Sequence, residues 1–147
     1  MKKLLFIISI TLLLVACSSK PTFNEVEGIQ ARYFIEALEL DNESIKISNS
    51  QTPYGTIDEE TVSQILELKM KSLNLAKKIP FEVLEKMHPD LPVEYSGYKV
   101  GLQLRINNLI EGDSIAEVEG SLLIKDWSDW YSKNIRNIKI PNEKRKN

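Results

Sequence analysis

The chain has one cysteine, Cys17, and one histidine, His88, among 147 residues. A lone thiol closes no intrachain disulfide, and structural metal sites that gather several Cys and His side chains cannot be assembled. No serine occupies a Gly-x-Ser-x-Gly elbow, and His88 is confined between Met87 and Pro89. The acidic residues do not follow the twelve-residue pattern of a calcium loop. Asp126 with Asp129 is the nearest approach to an acid–base carboxylate pair. As an enzyme the chain is poorly furnished, and neither a cofactor nor a metal is expected. Repeats and low-complexity tracts are absent, and so is any apolar run of the roughly 20 residues that a bilayer span requires.

The N-terminus carries more information. Met1-Lys2-Lys3 is cationic, and Leu4 to Val15 is apolar apart from Ser9 and Thr11. That is the order of a secretory signal. Cys17-Ser18-Ser19-Lys20-Pro21 follows at once with small, polar and helix-breaking residues. The junction Leu14-Val15-Ala16-Cys17 resembles the lipobox of bacterial lipoproteins: a branched apolar residue, a small or β-branched one, a small one, then the cysteine that becomes the mature N-terminus. The resemblance covers Met1 to about Ser18. It implies cleavage before Cys17, a diacylglycerol on its thiol and often a third chain on the new amine. Two or more acyl chains make a stable anchor where one gives only reversible binding. It also implies a cell-envelope address, on the outer membrane facing the periplasm if the organism has one, because Ser18 rather than Asp follows the cysteine.

Removal of the signal changes the charge balance. Residues 17–147 hold 17 basic and 21 acidic side chains, a net of −4. Residues 24–132 carry a net of −10, and residues 133–147 a net of +5 from Lys133, Arg136, Lys139, Lys144, Arg145 and Lys146 against Glu143. An acidic body argues against a nucleic-acid partner. The basic end reads as a solvated terminus or as a contact with membrane or partner.

The apolar spacing predicts a single small α+β domain over residues 25–140, after a signal at 1–16 and an acylated tether at 17–24, and before a basic tail at 141–147. Glu25 to Leu40 reads as a helix from Val26, Ile29, Tyr33 and Ala37, although Ile29, Ala31, Tyr33 and Ile35 also alternate and leave a strand open. Asp41-Asn42-Glu43 is expected to stop it, with a brief strand over residues 43–47 and a loop to Gly55. The clearest element is an amphipathic helix over residues 58–79, capped by Thr56 with Glu59, whose stripe of Val62, Ile65, Leu66, Leu73 and Ala76 is interrupted by Lys69. A short helix over residues 80–87 and a proline turn follow. Beyond it the period changes to two: Tyr98, Val100, Leu102, Leu104 and Ile106, then Ala116, Val118, Gly120, Leu122 and Ile124, predict an antiparallel hairpin turning at Glu111 to Ser114. The long helix is expected to pack on this sheet. A short terminal helix is expected from Asp126.

Trp127, Trp130 and Tyr131 beside Asp126 and Asp129 are the candidate binding residues, read either as core or as a stacking platform for sugar rings. By exclusion, the sequence points to a non-catalytic envelope lipoprotein that binds another protein near the membrane as an accessory or assembly factor. The alternatives are a glycan or small-ligand binding module using the aromatic cluster, and an inhibitor or immunity-type lipoprotein.

Overall fold

Three of the four long helices start on a side chain that satisfies N–H groups left free by the first turn, and the fourth, lacking such a side-chain cap, starts with a proline there. In the computed structural model, which describes residues 22–50 and 57–141, helix α1 (Glu25–Ser50) opens with a reciprocal cap. Asn24 Oδ1 accepts from the Glu27 N–H at 2.9 Å, and Glu27 Oε2 accepts from the Asn24 N–H at 3.0 Å. Helix α2 (Glu59–Ala76) is capped by Asp58, which accepts from the Thr61 N–H at 2.7 Å. Those hydrogen bonds hold the Asp58 carboxyl below the ordinary carboxylate range. After the short α3 (Phe81–Met87), helix α4 (Leu91–Glu111) has Pro92 in its first turn and ends at Gly112, whose φ of 71° is left-handed. Helix α5 (Ser114–Asn134) starts on Asp113, which accepts from the Ile115 and Ala116 N–H groups. A 3₁₀ turn (Ile135–Asn137) completes the described residues, which contain no strand.

The expected α+β fold is therefore overturned: the hairpin over residues 98–124 is helical. Tyr98, Leu102 and Ile106 are buried, but Val100 between them is 50% exposed. With Leu91 and Tyr95 the inward series runs 91, 95, 98, 102, 106, a helical period. Apolar residues on the outer face of α4 supplied the other half of the apparent alternation. On α5, likewise, Ala116, Gly120 and Trp127 point inward while Val118 and Leu122 are exposed. Asp126, expected to start a short terminal helix, lies well inside α5. Helix α1 also runs through the expected stop at residues 41–43 and the expected strand at 43–47. It does so because Asp41 and Ser44 face inward and are hydrogen-bonded there. Thr56 lies outside the described residues, and Asp58 is the cap.

Two antiparallel hairpins, α1–α2 and α4–α5, pack through α2 against α4, and α3 closes one end against α1 and α4. The chain after α5 returns to that end: Ile138 is buried and the Lys139 N–H donates to the Met87 carbonyl at 2.9 Å. Phe23, assigned to the tether by the sequence reading, packs on the core there.

The four seams are unequal. At the α4–α5 crossing the backbones touch. A Cβ at Gly101 would lie 2.9 Å from the Gly120 carbonyl, and one at Gly120 would lie 2.8 Å from the Gly101 carbonyl. Between α1 and α5, by contrast, no described Cα pair comes within 8 Å. Rings bridge that gap: Phe34 meets Trp127 edge-on and Tyr131 at a tilt, both at 6.1 Å between centroids.

This contrast generates a prediction. Gly101→Ala forces the two backbones apart and should destabilise the fold by about 1–3 kcal/mol, the usual cost of overpacking. Gly97→Ala, where nothing lies within 4 Å of the added carbon, should stabilise it by about 0.5–1 kcal/mol through helix propensity alone. Urea unfolding of the two variants measures both.

Candidate functional site

The wide seam leaves a cleft of about 350 Å³ between α1 and α5. Ile35, Leu38 and Asn42 line it from α1, and Ile124, Ser128 and Tyr131 from α5. Trp127, Tyr98 and Asp41, all buried, contribute the deeper surface. Apolar walls with a few placed polar groups suit a cleft that takes apolar side chains or a small ligand. A second cavity of about 270 Å³ lies toward the other end of the bundle, lined by residues such as Ser48, Ile57, Lys69, Arg105, Asn108 and Glu117.

An ion pair separates the two spaces. Lys69 Nζ donates to Asp41 Oδ1 at 2.9 Å, with side-chain exposures of 4% and 8%. Lys69 borders the second cavity and Asp41 the cleft. The Asp41 carboxylate is further satisfied by the Tyr98 hydroxyl, which donates to Oδ2 at 3.3 Å, and by Ser44 Oγ at 3.4 Å from Oδ1. Tyr98 Oη also lies 3.2 Å from Ser72 Oγ, which donates to the Ala37 carbonyl at 2.7 Å. This network ties α1, α2 and α4 together. A buried charge persists only with a partner and hydrogen bonds.

Tyr95 stacks on Tyr98 with centroids 5.2 Å apart and rings 15° from parallel. Its hydroxyl is buried and meets no hydrogen-bond partner among the described residues. Burial first, and the Asp41 charge second, push both hydroxyls well above the ordinary tyrosine range. Both therefore remain protonated at neutral pH.

The sequence-derived candidates divide. Trp127 is only 5% exposed, enclosed by Phe34, Tyr95, Tyr98, Trp130 and Tyr131. Tyr131 is half-buried, stacks on Trp127 at 5.2 Å and borders the cleft. Trp130 instead meets His88 edge-on at 5.3 Å, while His88 Nδ1 accepts from the Asp90 N–H at 3.2 Å. Asp126 and Asp129 are exposed. Asp129 pairs with Lys125 at 2.6 Å, and that hydrogen bond holds its carboxyl below the ordinary range. Lys133, Arg136 and Lys139 are exposed near the α3 end of the bundle. Cys17, Lys144, Arg145 and Lys146 lie outside the described residues.

Sequence reasoning missed the Asp41–Lys69 pair, reading Asp41 as part of a helix stop and Lys69 as a break in an apolar stripe. The interruption of an apolar stripe by a single lysine was the available signal. Among the described residues no group of three or more His, Cys, Asp or Glu is arranged to hold a metal ion, and no described helix is long and apolar enough to cross a membrane. No protein-family model, no curated protein and no solved structure matches the chain.

Two stability predictions follow from the network. Lys69→Met leaves the Asp41 charge without its cation and should cost about 3–5 kcal/mol, whereas adding Asp41→Leu to it should recover most of that loss; chemical denaturation of the single and double variants decides. Tyr95→Phe removes an unpaired buried hydroxyl and should raise stability by about 1 kcal/mol, while Tyr98→Phe should lower it by a similar amount. The two melting temperatures must move in opposite directions.

Proposed function

We propose that this chain is a non-catalytic, lipid-anchored envelope protein whose bundle binds another protein by accepting apolar side chains into the α1–α5 cleft. The anchor rests on the resemblance of Leu14-Val15-Ala16-Cys17 to a lipobox, and in an organism with an outer membrane Ser18 directs the protein there, facing the periplasm. The observation that carries the binding reading is the open seam itself. Three seams of the bundle are closed by direct helix packing, and the fourth is left as a largely apolar recess that reaches the core. A segment presenting apolar residues at helical spacing fills such a groove.

The same geometry weighs against a sugar platform. Stacking on a pyranose requires an open ring face, and the faces of Trp127 are covered by neighbouring rings. What the cleft offers instead is aliphatic wall.

The test is a photo-crosslinking amino acid placed in the natural acylated chain at Ser128 and, separately, at Asn42. Both are exposed residues on opposite walls of the cleft. A control at Lys71, exposed on α2, samples the outer surface. A discrete adduct with one envelope protein from both walls and not from Lys71 is expected. Equal labelling from all three positions, or none from the cleft, would overturn the reading.

A further inference from the structure

We infer that the bundle stands on a bilayer through its α3 end, with Phe81 and the lysines and arginine of that end at the anionic lipid headgroups and the acidic far ends of the two hairpins facing away. The inference rests on the anchor proposed above and adds an orientation to it. Three observations on separate parts of the chain point the same way.

The first is where the tether leaves. Phe23 packs on the core, and Glu27 in the first turn of α1 pairs with Lys86 of α3 at 2.6 Å. The chain therefore enters the bundle beside α3. Five residue steps lead from Cys17 to Thr22, which at full extension span about 17 Å. The α3 end cannot stray farther than that from the lipid surface, little more than one or two Debye lengths at physiological salt.

The second is an exposed apolar tip. Phe81, the first residue of α3, is 59% exposed, and Val93, beside it across a shallow hollow, is 73% exposed. Phe81 follows Lys77 and Lys78 and shares this end with Lys133, Arg136 and Lys139, whose segment is held to α3 by the bond from the Lys139 N–H to the Met87 carbonyl. An aromatic ring with lysine and arginine among its neighbours is a composition that settles at a headgroup boundary. Glu25, Glu27, Glu82, Glu85, Asp90 and Glu94 also lie at this end and bring its described residues close to neutral, while Lys144, Arg145 and Lys146 against Glu143 follow in sequence, outside the described residues.

The third is the opposite end. The helix ends there carry Asp58, Glu59, Glu60, Glu111, Asp113 and Glu117, against Lys46 near the end of α1 and Lys69 and Arg105 at the cavity. An anionic surface repels that end. The tether and the charge distribution thus act in one sense, and the bundle has one electrically favoured way up.

Acylation of Cys17 would consume the only thiol, so one introduced cysteine can be labelled cleanly in the full natural chain. An environment-sensitive fluorophore is placed at Glu82→Cys, beside Phe81, or at Glu60→Cys, at the far end. The protein is reconstituted into vesicles of phosphatidylethanolamine and phosphatidylglycerol carrying a spin-labelled lipid whose quencher lies near the headgroups. Quenching at position 82 should exceed that at position 60 several-fold. The difference should shrink in phosphatidylcholine vesicles, and again when Phe81→Ser is combined with Lys133→Glu, Arg136→Glu and Lys139→Glu.

Equal quenching at the two positions in a chain whose mass shows acyl groups overturns the orientation and leaves the anchor standing. An unmodified Cys17 overturns the anchor, and the orientation with it. Protection of position 82 in native membranes but not in pure lipid replaces the lipid by a protein as what covers this end.

Discussion

Unequal spacing between helices is the constraint from which the rest of this molecule follows. Two glycines let α4 and α5 meet at van der Waals contact between their backbones. On the other flank of α5, Phe34, Trp127 and Tyr131 are too large to let α1 come equally close to it. A bundle with one seam drawn tight and the adjacent gap bridged by rings cannot be square in section, and the remaining space becomes the cleft. The buried ion pair belongs to the same geometry. With α1 held off α5, Asp41 would border the recess unpaired, and Lys69 reaching across from α2 supplies both its counter-charge and the partition behind the cleft.

Much of the local structure was legible in the sequence, and most of the tertiary arrangement was not. The helix expected over residues 58–79 stands over 59–76, the short one expected over 80–87 stands over 81–87, and the chain reverses at Gly112 as expected, while Pro92, expected in a turn, lies in the first turn of α4. The failure over residues 91–134 has a specific cause. Val100 and Leu104 on α4, and Val118 and Leu122 on α5, are apolar residues on the outer or half-buried faces of helices. Added to the true inward series, they complete a two-residue alternation that no strand in the fold uses. Gly101 and Gly120, which fall within the two expected strands, are in fact where two helices touch. Glycine at a helix crossing and glycine in a strand look alike in a single sequence.

The site was half visible. Trp127 and Tyr131 were singled out for their chemistry, and they do border the cleft; the neighbouring Asp126 and Asp129 point to solvent because a helix carries them on its other face. A residue three or four positions away on α5 shares a face, whereas one or two positions away does not. The partners that complete the recess, Ile35 and Leu38, lie some ninety residues earlier and could not be matched to it without the fold.

A seam closed by backbone contact is rigid, but one closed by side chains is not. The width of the α1–α5 recess is governed by the torsion angles of Phe34, Trp127 and Tyr131 and not by the path of either helix. Phe34 and Trp127 are locked in the core, whereas Tyr131 is half-buried and can change rotamer far faster than a bundle can rearrange its backbone. The mouth of the recess is thus set by a single ring, and its aperture can alter while the four helices stand still.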